Sequence, residues 1–293
     1  QRFYKPVQDL AEKFNILQSA MAAAERIFEV LDTEPVITDP PGALPAGPAR
    51  GEVEFREVRF AYKPGEEVLR GVSLHIAPGE TVAVVGATGA GKTSLVSLLA
   101  RLYDPQSGAI LLDGRDLREY ALADLRRRMT IVLQDVFLFS GSVRANISFD
   151  DPAIGAEAVQ EAARRVGADG FIRRLPRGYE TEVGERGALL SVGQKQLIAF
   201  ARALAHDPPL LILDEATSSV DSESESLIQQ ALAVLFAGRT SLVIAHRLST
   251  IQGADRIVTM HKGLIREIGT HAELLGRGGI YATLHRLQYA DHR

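Results

Sequence analysis

The chain contains no cysteine and no tryptophan, and no apolar run approaches the roughly 20 residues that cross a bilayer as a helix. Without cysteine there can be no disulfide, no thiolate metal site and no cysteine nucleophile. Without a long apolar run, no segment of these residues reads as membrane-spanning. Positive charge is also short: 33 Lys and Arg stand against 37 Asp and Glu, a net charge of −4. Binding along a phosphate backbone wants a basic surface, so no nucleic acid partner is expected. What remains is ordinary globular material, 293 residues with 46% hydrophobic and 24% charged content. That is enough for a sizeable core in one large or two modest domains. The chain opens at Gln1 already inside a helical pattern, and on that ground a piece of a longer protein is expected.

Phe3, Val7, Leu10, Phe14, Leu17, Met21, Ala24, Phe28 and Leu31 advance in alternating steps of four and three. This is an apolar seam on one helix over residues 1–34, with Pro6 expected to kink it near its start. The seam fits a helix lying on its own domain, or the end of a longer helix arriving from a preceding domain. Pro35, Pro40, Pro41, Gly42, Pro45, Gly47 and Pro48 follow, and such a run resists both helix and ladder. It reads as a linker over 35–50. Beyond it, strand signals at 53–62 and 72–76 precede continuous apolar runs at 81–85, 131–133, 210–213, 241–245 and 256–260. A helix is expected from Lys92 to Leu102, and a mostly helical stretch from about 141 to 205. The fold class is therefore α/β, a core of strands and helices with an inserted helical subdomain. The runs Arg126–Arg128 and Arg173–Arg174 read as solvated helix ends.

Gly86-Ala87-Thr88-Gly89-Ala90-Gly91-Lys92-Thr93 fills the phosphate-loop pattern between a strand and a helix. Glycines let backbone N–H groups converge on phosphate oxygens, and the helix N-terminus adds potential that favours an anion. Gly86, Thr88, Gly89, Ala90, Gly91, Lys92 and Thr93 are thus the expected nucleotide contacts. Lys92 would bridge the β and γ phosphates of ATP, and the Thr93 hydroxyl would hold Mg²⁺. Leu210-Leu211-Ile212-Leu213-Asp214-Glu215 is an apolar strand ending in two carboxylates. Asp214 would serve Mg²⁺, a hard cation, and Glu215 would orient or deprotonate the attacking water.

Around these residues the chain resembles the ABC transporter ATPases, across nearly all of 51–290. Leu190-Ser191-Val192-Gly193-Gln194 is similar to the family signature, Gln134 to its Q-loop glutamine and His246 to its switch histidine. Ser218-Ser219-Val220-Asp221 is similar to the D-loop, and Tyr62 stands where an aromatic stacks on adenine. The resemblance implies a P-loop NTPase (RecA-like) core with an antiparallel β-subdomain and a helical subdomain. It implies catalytic roles for Glu215, His246 and Gln134, a share in the metal site for Gln134, and nucleotide contacts from Ser191, Gly193, Gln194 and Asp221. Thr181–Gly187 resembles the X-loop of exporters, and the first helix with its linker resembles an exporter's junction with its last membrane helix. The implied working unit is two such domains head to tail, with each ATP between the phosphate loop of one and the signature of the other. It would sit on the cytoplasmic face of the inner membrane, under a transmembrane domain of its own.

Val192 departs from the family pattern, which has glycine there. A β-branched residue resists positive φ and crowds a close approach to phosphate. With Glu215 and His246 intact, this resembles one half of a heterodimeric exporter, so a non-identical partner is expected ahead of a homodimer. Two other functions remain open on the residues alone, a soluble ABC ATPase of DNA repair or translation and a regulatory nucleotide-binding module without turnover.

Overall fold

The structure, a computed structural model, describes residues 4–42, 47, 49–184, 187, 189–214, 222–245 and 248–289. The chain divides into one unit through Thr38 and a second from Asp39 onward. The first unit is a single helix, α1 (Tyr4–Asp32), with no buried residue. Phe14, Met21 and Phe28 are each more than half exposed. Pro6 falls in the first turn, where a missing N–H breaks no helical bond, so the expected kink is replaced by a continuous helix. No helix among the described residues is long and apolar enough to cross a membrane.

The second unit opens with β1 (Val53–Ala61) and β2 (Glu67–Ile76), then β3 (Thr81–Val85) and α2 (Lys92–Leu99). β4 (Ser107–Leu112), β5 (Arg115–Asp116), α3 (Leu122–Arg127) and β6 (Met129–Val132) follow. Next come α4 (Val143–Ser148), α5 (Ala156–Arg165), α6 (Asp169–Ile172) and α7 (Val192–Ala205). The remainder alternates: β7 (Leu210–Asp214), α8 (Ser222–Phe236), β8 (Thr240–Ile244) and α9 (Leu248–Gln252). It closes with β9 (Arg256–His261), β10 (Leu264–Gly269), α10 (His271–Arg277) and α11 (Ile280–Tyr289). β4, β5 and β10 were not foreseen. The helix expected to reach Leu102 stops at Leu99, capped by Ala100.

The strands form a four-stranded antiparallel sheet in the order β2-β1-β4-β5 and a six-stranded sheet in the order β10-β9-β3-β8-β7-β6. In the larger sheet β9, β3, β8, β7 and β6 run parallel, and only β10 is antiparallel. Its central strands read as unbroken apolar runs because both faces are covered. Alternate residues divide between two cores. Ala83, Val85, Leu211, Leu213 and Val243 pack toward the helical segment, with Ile198, Phe200 and Ile228. Val82, Val84, Ile212, Leu242 and Val258 pack toward the smaller sheet, with Phe55, Leu69 and Leu112.

From Asp39 the Pro/Gly segment is strapped to the second unit. The Leu122 N–H donates to Asp39 Oδ1 (2.7 Å), and the Arg50 and Glu52 N–H groups donate to the two oxygens of Asp113 (3.0 Å each). Arg128 donates to Gly47 O, lies 3.6 Å from Asp113 and covers the Tyr120 ring. It is buried, not solvated as its triplet of arginines suggested, because it ties this strap to the domain. Arg126 and Arg127 are exposed.

Candidate functional site

The register of the large sheet sets the site. Val84 and Asp214 both pair with Ile244, and Leu213 pairs with Val132. The ends of β3, β8, β7 and β6 therefore line up. This gathers at one sheet end the glycine loop after β3, Asp214 closing β7, and Gln134 two residues beyond β6. Such a row at the carboxyl ends of parallel strands is where open α/β sheets place ligands.

Two glycines in the loop are required by space. A Cβ on Gly86 would lie 2.4 Å from Met260 O of β9. Gly91 has φ +99°, and a Cβ there would lie 2.7 Å from Leu69 Cδ2 of β2. The loop is thus pressed between two strands while Ala87, Thr88 and Gly89 stand exposed at its crest. Ala90 is buried beneath, its carbonyl accepting from the Gly263 N–H at 3.1 Å. Gly91 caps α2 with no side-chain hydrogen bond, so the first N–H groups of α2 keep no partner from a capping side chain.

Lys92 is buried and arches back over the loop, donating to Gly86 O (2.8 Å) and Ala87 O (3.1 Å). Burial lowers its pKa from the ordinary lysine value, and the Asp214 carboxylate pulls the other way. The two groups thus feel each other's charge across the site. Thr93, next in the chain, points its side chain into solvent. The hydroxyl of Thr93, the carboxylate of Asp214 and the amide oxygen of Gln134 form an all-oxygen donor set, the chemistry Mg²⁺ takes. Gln134 is exposed and Asp214 half-buried, so that set fits the cation. Glu215, Asp221 and His246, and with them the D-loop, lie outside the described residues, as do Glu185 and Arg186 of the 181–187 segment.

Tyr62 follows β1 with its ring half exposed. It packs edge-on against Phe60 (4.7 Å between centroids) and Tyr103 (5.1 Å), and its hydroxyl lies 3.2 Å from Ser94 Oγ. The ring borders a groove of about 560 Å³ lined by Arg59, Pro64, Glu67 and neighbours, none of them from the phosphate loop. Sequence reading missed Ser94 and Tyr103. Ser94 carries a local signal, since it directly follows Thr93 on α2, whereas Tyr103 becomes visible only when the chain is folded.

Ser191 caps α7, a helix that packs against α4, α5, α8 and β6. Its Oγ accepts from the Gln194 N–H (3.2 Å), and its own N–H donates to Gln194 Oε1 (3.0 Å), a complete capping box. Gln194, expected at the nucleotide, is thus held by the helix start itself. Val192 occupies the first helical position with its side chain 54% exposed, and it is not among the residues with positive φ. The expected backbone conflict is therefore absent, and only bulk at the helix start remains. Gly193 is buried. Residues 181–183 pair with 141–143: the Val143 N–H donates to Thr181 O and the Val183 N–H to Gly141 O, both at 3.0 Å.

A family model described as ABC transporter matches residues 69–218. An uncharacterized ABC transporter ATP-binding protein of Bacillus subtilis, YknV, is 49% identical over 98% of this chain and 48% of its own length. An ATP-dependent lipid A-core flippase of Alkalilimnicola ehrlichii is 54% identical over 93% of the chain and 46% of its own length. A solved bacterial Atm1-family ABC exporter with ATP bound superposes with a TM-score of 0.85 at 38% identity, over 99% of this chain and 51% of that one. The chain spans about half the length of the curated relatives it matches. It belongs to the ABC transporter family and is an ATP-binding domain of the kind found in that family's exporters.

Proposed function

We propose that this chain hydrolyses MgATP and that head-to-tail closure with a second ATPase domain drives export by a membrane-spanning part. It would work at the cytoplasmic face of the inner membrane. The observation that carries the reading is the row of strand ends, where the arched, buried Lys92 faces Asp214 beside an uncapped helix start. Phosphoryl transfer asks mainly for positioning and charge stabilisation, and these groups supply both. Loop N–H groups and Lys92 hold the β and γ phosphates. Thr93, Asp214 and Gln134 hold Mg²⁺, which when bound neutralises charge on the phosphate oxygens. Glu215 orients and deprotonates the attacking water, assisted by His246 at the γ-phosphate. Tyr62 takes the adenine, and Asp221, Ser191 and Gly193 meet the nucleotide of the opposed domain.

The likeness to exporters supports the membrane partner and weighs against the DNA-repair and regulatory alternatives. The exposed Val192 at the start of α7 supports a non-identical partner, because its branched side chain occupies space that phosphate would approach in trans. Steady MgATP turnover by the whole transporter should vanish in Glu215→Gln. Turnover that survives this change would overturn the hydrolytic reading. Purification of the whole transporter with only identical chains would overturn the heterodimer and leave the motor in place.

A further inference from the structure

Antiparallel pairing of β1 with β4 ends at Arg59 opposite Ser107. One residue earlier the Gln106 N–H still donates to Arg59 O (3.1 Å), but Pro105 before it has no N–H to offer. The ladder should stop there and leave Ala61 without a rung on that side. Instead the Gln106 side chain supplies one. The Ala61 N–H donates to Gln106 Oε1 (2.8 Å), and Gln106 Nε2 donates to Ala61 O (2.7 Å). An amide side chain has the same donor and acceptor pair as a peptide unit, so it can replace a rung in full. Ala61 is the last residue before Tyr62. The same short segment contributes Tyr103, whose ring stands edge-on to Tyr62, while Ser94 meets the Tyr62 hydroxyl.

We propose that Gln106 is a positioning residue for the nucleotide base: by extending the β1 ladder through Ala61 it sets the direction of the Tyr62 ring. The inference rests on the reading that Tyr62 takes adenine. Gln106 is itself exposed and contributes nothing to the core, so its two hydrogen bonds serve the local chain direction more than the fold. Freed from them, Ala61 and Tyr62 gain conformations in which the ring no longer presents its face to the base. The loss should then fall on the base and spare the phosphates.

The test is titration of the purified chain, as wild type, Gln106→Ala, Tyr62→Ala and the double variant, with MgATP and separately with Mg-tripolyphosphate, which has no base. Gln106→Ala should weaken MgATP binding by about fivefold, the worth of one to two exposed hydrogen bonds. It should leave tripolyphosphate binding unchanged, and add nothing further in the Tyr62→Ala background. Gln106→Glu keeps the acceptor and loses the donor, and should fall between wild type and Gln106→Ala. Equal weakening of both ligands, unchanged MgATP affinity, or additivity with Tyr62→Ala would overturn the role of Gln106. If Tyr62→Ala itself fails to separate MgATP from tripolyphosphate, the base-stacking reading falls first and this inference falls with it.

Discussion

Two helix starts in this domain are built in opposite ways. α2 begins at Gly91 with no side-chain cap, its first N–H groups turned toward a loop of exposed residues. α7 begins at Ser191 with a complete capping box, so two of its orphan donors are already bonded by its own side chains. α10 closes itself the same way with Thr270 and Glu273, in a place where no ligand is expected. A capping box satisfies a helix start by its own side chains, though α3, α5 and α6 also begin without a side-chain cap, so its absence at α2 takes its meaning from the glycine loop beside it. Leaving α2 without one costs stability unless something else fills the role, and a phosphate fills it well. The α7 start lies between these cases: stable by itself, it keeps the Val192 and Gly193 N–H groups outside the box.

That contrast can be broken by experiment. Lys92→Met should lower MgATP turnover by about 100-fold or more, since it removes the charge over the uncapped start, and should not lower the melting temperature. A fall in melting temperature would mean that Lys92 is structural. Gly86→Ala should destabilise the domain by about 2–3 kcal/mol in denaturant titration, because the new Cβ meets the Met260 carbonyl and backbone cannot easily give way. A milder cost would show the loop to be less tightly pressed.

The pH dependence follows from burial of Lys92. Its folded pKa lies below the ordinary 10.5, so the folded chain loses this proton before the unfolded chain does. MgATP affinity should fall as pH rises through that lowered value, while Lys92→Met shows no such step. Over the same window the stability of wild type relative to Lys92→Met should rise, as the cost of burying the ammonium is relieved. At α7, Ser191→Ala should cost about 1 kcal/mol in unfolding free energy whether or not ATP is present. Smallest of all, Val192→Gly should shift stability by only a few tenths of a kcal/mol. It should nevertheless increase ATP-dependent self-association, read by light scattering with the Glu215→Gln background. No increase would make the valine harmless.

The parts of the site legible in the sequence are those whose meaning is local. The glycine loop needs only its own spacing and a flanking strand, and Asp214 needs only an apolar run before it. Tyr103 and Gln106 act on Tyr62 across 40 or more intervening positions, a relation no periodicity encodes. β4 escaped because its apolar run, residues 109–112, is short and follows Ser107 and Gly108, and β5 because it is only the charged pair Arg115–Asp116. Arg128 shows the converse error. A triplet of arginines looks solvated by composition, yet one member is buried because Asp113 and the Tyr120 ring receive it.

The central sheet, finally, is a wall shared by two rooms. Neighbouring residues of one strand, such as Leu213 and Ile212, answer to different cores. β3, β7 and β8 are only five residues long, so each of their residues lies close to the strand ends where the glycine loop and Asp214 stand. The wall that gives the fold its solidity therefore also brings both cores to the edge of the site. A methyl group removed from Leu213 on one side should be felt by nucleotide differently from one removed from Ile212 on the other.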